Sequence, residues 1–358
     1  MAHISWFDRH DADDEPVLGG KNTSLGLLTS AGLPVPPGFA VTASAYRTVF
    51  ASTGVEDSLT RLLADLDPSD PASVAAAGHR ARELILAIDL PPWLLDPLAE
   101  AYAQLGEHCS TKDVPVAVRS SATCEDQPDA SFAGEHDTFL WVRGAEAVGA
   151  HVLRCWSSLF TDRAISYRWR MHYAEAGAAM SVGVQQMVLP KAAGVAFTLN
   201  PHNGDRSQIA IDASWGLGEA VVSGSVTPDN FLVDKVMGTI TRRIISTKTI
   251  EHRLDGDRVV EAEVDQDRRD IPCITDDEVR AVAGLARRAE KHFGCPQDVE
   301  WAIDPLITGE DKVVLLQSRP ETVWSRKPRT TAANSSDMFR SMVDTLLDAN
   351  RGREAAPG

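Results

Sequence analysis

The sequence predicts an α+β protein built as two lobes, and three observations carry that reading. The first third alternates short strand-like runs with helical ones, residues 56 to 110 are rich in Ala and Leu at helical spacing, and residues 181 to 250 are a succession of β-branched runs. At 358 residues, with 43% hydrophobic and 24% charged side chains, the chain has ample apolar material for a soluble core.

The elements follow in order. "TSLGLLTSAG" reads as a helix closed by Gly32, and "GFAVT" as a strand. From 116 to 142 the texture is strand, loop, strand, followed by a helical stretch carrying Trp156, Phe160, Tyr167 and Trp169. The runs "VGVQQMVL", "GVAFT", "QIAIDASWG", "NFLVDK" and "TRRIIS" are strands, 276 to 293 is a helix, and 298 to 319 is a strand pair. The lobe boundary is expected near 180, giving an N-terminal lobe over 1–180 and a second lobe over 181–325. Residues 326–358 read as a polar tail ending in a short amphipathic helix.

A net charge of -16 argues against a general binder of nucleic acid or anionic membranes. No 18-residue apolar stretch and no signal peptide are visible. Five scattered cysteines without a CxxC pair fit a reducing compartment, so a cytoplasmic location is expected.

Four stretches could carry chemistry. In "LGGKNTSLG" (18–26), two glycines permit close backbone approach and Lys21 stands just before a helix start, where free N–H groups and an ammonium suit phosphate. It is no Walker A motif, because Asn22 follows the lysine. In "VAVRSSATCEDQPDASFAG" (116–134), a strand surfaces at Arg119, whose fork matches phosphate oxygens, beside Ser120, Ser121 and Thr123. "SWGLGE" (214–219) could wrap a nucleotide, with Glu219 accepting hydrogen bonds from ribose hydroxyls. Each of these also fits an ordinary turn, cap or surface charge network.

The fourth stretch is the most geometric. "DVEWAID" and "VVLLQSRP" are alternating strands, and residues 300 and 317 are equidistant from a turn at Thr308-Gly309. A hairpin would set Glu300 opposite Gln317, with Arg319 two residues along the same face. A carboxylate and an amide oxygen beside a cation suit Mg²⁺ shared with a polyphosphate. An edge-strand charge pair is the plainer alternative. Together the four stretches suggest a nucleoside triphosphate and Mg²⁺ held between two lobes.

"LGGKNTSLG…AGLPVPPGFAVT", "VAVRSSAT.EDQPDASFAG", "VQQMV", "SWGLGEAVVSG.VTPDNF" and "QDVEWAID…LLQSRP", in this order, resemble the N-terminal ATP-binding domain of the phosphoenolpyruvate synthase and pyruvate phosphate dikinase family, which rifampin phosphotransferases share. The resemblance covers residues 15 to 325 and implies an ATP-grasp fold with Mg-ATP between two lobes. It implies that Lys21 and Arg119 hold the polyphosphate, that Gly134 and Thr138 lie on a phosphate-facing loop, and that Gln185 sits near the adenine. It further implies that Glu300 and Gln317 bind Mg²⁺ and that Arg319 contacts the terminal phosphates. Two departures from the family pattern are Glu135, usually glutamine, and a longer loop over 305–312.

Family members continue into a swivelling domain whose histidine, in a T-S-H-A setting, attacks the β-phosphorus of ATP. None of the ten histidines here has that setting. The expectation is therefore a two-component dikinase whose histidine and acceptor site lie on a partner subunit, resembling the small subunit of phenylphosphate synthase. The alternatives are half of a split phosphoenolpyruvate synthase acting on pyruvate, a non-catalytic ATP sensor or scaffold, and a fragment of a longer enzyme. Met1 and the tail weigh against the fragment.

Overall fold

The computed structural model describes residues 2–10, 12–123, 137–170, 178–307 and 312–324. The elements in chain order are β1 (Ile4–Trp6), α1 (Glu15–Ser30), β2 (Gly38–Val41), α2 (Ala43–Thr53), α3 (Val55–Ala64), α4 (Pro71–Leu86), α5 (Pro92–His108), β3 (Val116–Ala122), β4 (Thr138–Val142), α6 (Ala145–Ser158) and α7 (Asp162–Arg170). They continue with β5 (Met180–Gln186), β6 (Ala192–Phe197), β7 (Gln208–Trp215), α8 (Glu219–Val222), β8 (Asp229–Asp234), β9 (Ile240–Ile244), β10 (Ile250–Asp255), β11 (Arg258–Glu263), α9 (Asp276–Phe293), β12 (Gln297–Ile303) and β13 (Val313–Pro320). The mixture of helices and antiparallel sheets is α+β, as the sequence suggested.

Local chemistry explains where the helices begin and end. Asp70 caps α4 by accepting from the backbone of Ala72 and Ser73, ahead of Pro71 at the first helical position. Thr275 and Glu278 form a reciprocal capping box at the start of α9, and Gly294 ends that helix at φ 69°. Helix α1 is broken: Gly19 has φ 69° and ψ 160°, so the chain leaves the helix there and restarts it just before Lys21.

Among the described residues, five strands form the first sheet, in the order β1-β2-β5-β3-β4, and six form the second, β13-β12-β6-β7-β8-β9. Strands β10 and β11 make a separate hairpin. Every described pairing between these strands is antiparallel. The apolar core divides the same way. Trp156, Phe39, Leu94 and Val184 belong to the cluster of the first sheet and its helices, whereas Trp301, Phe231, Leu285 and Ile211 belong to the cluster under the second sheet and α9.

Strand β5 straddles the boundary expected near 180. It is paired with β2 on one side and β3 on the other, so it lies inside the first sheet. The change of sheet comes after Gln186, in the linker 187–191. Both sheets lie in one compact unit, Met1–Glu321. The expected tail helix falls outside the described residues.

Gly194 shows how closely the second sheet is built. A Cβ there would stand 1.9 Å from the backbone oxygen of Asp212 on β7. Gly194→Ala should destabilise the protein by about 2 kcal/mol, the usual scale of overpacking. Urea unfolding measures this, and an unchanged midpoint would contradict the close β6–β7 approach.

Candidate functional site

The restarted part of α1 is wedged between the two sheets. The Asn22 amide nitrogen donates to Ser181 Oγ on β5 at 2.9 Å, and its backbone N–H to Ser121 Oγ on β3 at 3.3 Å. Ser24 Oγ donates to the backbone oxygen of Ser318 on β13 at 2.9 Å. Gly19 and Gly183 make this approach possible. A Cβ on Gly19 would meet Ser121 O at 2.5 Å, and one on Gly183 would meet Asn22 Oδ1 at 2.4 Å. Lys21, half-buried at this helix start, lies close enough to the Cys155 thiol to offset part of the upward pKa shift that burial and Asp137 impose on it.

Arg119 surfaces from a strand whose other six residues are all buried. Its Nη1 donates to the Leu316 carbonyl on β13 at 3.2 Å and stands 3.7 Å from Glu300 Oε2 on β12. Its Nε is buried without a partner among the described residues. Thus a guanidinium anchored in the first sheet reaches the hairpin of the second.

That hairpin has the register read from the sequence. Glu300 is opposite Gln317 and Asp298 is opposite Arg319, and a bulge follows between Glu300 and Trp301. Arg319 Nε lies 3.3 Å from Asp298 Oδ2. Asp298 was missed by sequence reasoning, although the two-residue period that puts Glu300 on this face puts Asp298 there too. Burial, with a smaller push from Glu321, raises its pKa to about 6, while Arg319 pulls the other way. Asp298 Oδ1 is also buried without a partner among the described residues.

Three more of the expected residues lie among the described ones, at Thr138, Glu219 and Gln185. Thr138, on β4, is the cross-strand partner of Arg119. It lines a cleft of about 390 Å³ together with Glu219, His151, His252 and Glu261. Glu219 opens α8, and its Oε2 is 3.2 Å from His252 Nδ1. Gln185 is buried, and its amide donates to the Pro36 carbonyl at 3.3 Å. Next to it, Met187 joins Ala117, Trp141 and Leu217 in a small apolar cluster behind the cleft. Gly134, Glu135 and the hairpin turn at 308–309 lie outside the described residues.

Lys21, Arg119, Glu300, Gln317 and Arg319 therefore come from three separate stretches of sequence. Two of those stretches are joined directly at Arg119, and the helix carrying Lys21 is bonded to both sheets. Glu300 and Gln317 offer two hard oxygen donors on one face, which fits a magnesium ion that takes its remaining ligands from water and phosphate.

Residues 15–339 match the family described as the pyruvate phosphate dikinase, AMP/ATP-binding domain. The chain belongs to this family. The probable phosphoenolpyruvate synthase of Methanothermobacter thermautotrophicus is 41% identical over 339 residues, covering 95% of this chain and 49% of that protein. The corresponding protein of Staphylothermus marinus is 39% identical, covering 99% of this chain and 46% of its own length. The phosphoenolpyruvate synthase of Escherichia coli is 41% identical, covering 90% and 42%. The chain thus spans about half the length of these curated relatives. Among the described residues no helix is long and apolar enough to cross a membrane.

One buried group, bonded to the helix that carries Lys21, has its protonation shifted by its surroundings. His10 Nδ1 donates to the Asn22 carbonyl at 3.1 Å, and burial lowers its pKa below the ordinary histidine value. Hydrogen bonds to Asn22 and Ser5 and the charges of Asp14 and Asp8 offset that only in part. The unfolded chain consequently binds the proton more readily, so stability is lost as pH falls through the unfolded value near 6.5. Thermal unfolding should show a larger loss between pH 7.5 and 5.5 in the wild type than in His10→Asn. Equal losses would contradict this account of His10.

Proposed function

We propose that this chain is the ATP-binding, phosphoryl-donating portion of a phosphoenolpyruvate-synthase-type dikinase, with an ATP-grasp fold and Mg-ATP at the seam between its two sheets. The single observation that carries the reading is the reach of Arg119 from β3 to Glu300 and the Leu316 carbonyl on the β12–β13 hairpin. This places a permanent cation beside a carboxylate–amide pair, which is the donor set a magnesium polyphosphate needs.

In this reading Lys21 and Arg119 hold the phosphate chain, with Thr138 beside Arg119 and Arg319 at the terminal phosphates. Glu300 and Gln317 would hold Mg²⁺, which supplies charge neutralisation along the phosphates. Asp298 keeps the Arg319 side chain directed along the hairpin face. Gln185 supports the linker end of the cleft through Pro36, and the apolar cluster at Met187 marks the side suited to the base. The protein's contribution is positioning and charge stabilisation, the usual division of labour in phosphoryl transfer.

The acceptor histidine lies outside this sequence, on a further portion of the enzyme or on a separate subunit. Its ring nitrogen attacks the β-phosphorus and AMP leaves, giving a pyrophosphorylated histidine. Hydrolysis releases phosphate, and the remaining phosphoryl group passes to the acceptor. The relatives are named phosphoenolpyruvate synthases, so pyruvate takes precedence over the phenol expected from a resemblance to phenylphosphate synthase. The presence of Lys21, Arg119, Glu300, Gln317 and Arg319 together favours transfer over an ATP-sensing or scaffolding role.

The test uses β-labelled ATP, Mg²⁺ and the histidine-bearing portion of a phosphoenolpyruvate synthase. Label should appear on the added histidine, with matching AMP, only when this protein is present, and the chain alone should form little AMP. Arg119→Ala should slow the transfer by about 10²- to 10³-fold, the scale of losing one preorganised charge-stabilising donor. Equal AMP release without the histidine portion, or undiminished transfer by Arg119→Ala, would contradict the proposal.

A further inference from the structure

Residue 252 shapes the loop that carries Glu219 in two independent ways. Its backbone oxygen accepts from the Leu217 N–H at 2.8 Å, and Gly216 lies so close that a Cβ would stand 2.3 Å from that oxygen. Gly216 also has φ 71°, so the turn depends on glycine for both space and conformation. The His252 side chain, largely buried, then bonds Glu219 through Nδ1 at 3.2 Å and has Nε2 3.7 Å from Glu261. Glu219 itself is half exposed on the wall of the cleft that contains Thr138.

The arrangement has a chemical consequence. A short helix with one exposed glutamate does not by itself fix the direction of the carboxylate. The Nδ1–H of His252 occupies one oxygen of Glu219 and leaves the other to accept hydrogen bonds from a ligand. The anchor comes from the β10–β11 hairpin, which contacts β4 and α8 but belongs to neither large sheet.

We propose that His252 is a positioning residue that presents Glu219 to the ribose hydroxyls of the nucleotide, which makes the β10–β11 hairpin the sugar-selecting wall of the cleft. The inference rests on the nucleotide reading above and adds to it the source of discrimination between ribose and deoxygenated sugars. A buried imidazole that served only packing would affect affinity for both kinds of nucleotide equally. A residue that aims Glu219 affects their ratio.

The experiment measures equilibrium binding of Mg-ATP and of Mg-2′,3′-dideoxy-ATP to the whole chain and its variants. The wild type should prefer ATP by about tenfold, the scale of hydrogen bonds from hydroxyls to a carboxylate. His252→Leu should lower that preference to about twofold, whereas His252→Asn, which can offer an N–H in the Nδ1 position, should restore most of it. Glu219→Gln is a second variant at an exposed position, so its folding is secure. It should lose most of the preference, and combining it with His252→Leu should add little further loss. If His252→Leu and Glu219→Gln bind both nucleotides with the wild-type ratio while ATP binding still depends on Arg119, the assignment of His252 is overturned and the nucleotide reading stands. If no nucleotide binds at all, both fall.

Discussion

The site depends on one close backbone approach, that of Gly19 to Ser121. At φ 69°, and with Ser121 O within 2.5 Å of where a Cβ would stand, Gly19 lets α1 stop, turn and restart against Ser121 of β3. The restarted helix is then bonded to β3 and β5 through Asn22 and to β13 through Ser24. Without that break, the helix bearing Lys21 could not make these bonds to both sheets.

Electrostatics at the seam follow from this packing. Arg119 is held by a carbonyl and by Glu300, and Arg319 by Asp298, so each guanidinium has a carboxylate within 4 Å. Among the described residues neither pair is fully satisfied: Arg119 Nε and Asp298 Oδ1 are buried without partners there. Unsatisfied buried polar atoms are costly in a purely structural network and are expected where a ligand completes the set. The raised pKa of Asp298 belongs to the same pattern, because burial there outweighs the pull of Arg319.

Much of this was legible in the sequence because it rests on short-range regularities. The Glu300–Gln317 pairing followed from counting equally outward from a turn, and the bulge after Glu300 leaves that pairing intact. The capping box and Gly294 delimit α9 at the residues its pattern suggested. The membership of β5 in the first sheet was not legible, since a strand buried along nearly its whole length shows no alternation to identify its neighbours. Likewise, no local signal ties His252 to Glu219, 33 residues away, or predicts that the Gln185 amide is committed to Pro36. Asp298 could have been found by extending the alternation that revealed Glu300.

The central claim, that the seam between the sheets is a magnesium-nucleotide site, is tested most directly by calorimetric titration of the whole chain with ATP, with and without Mg²⁺. The expected result is saturable one-to-one binding that requires the metal and weakens by about tenfold or more in Glu300→Ala, as loss of a charged ligand should produce. Binding that is indifferent to both Mg²⁺ and Glu300, or no binding, would contradict the claim.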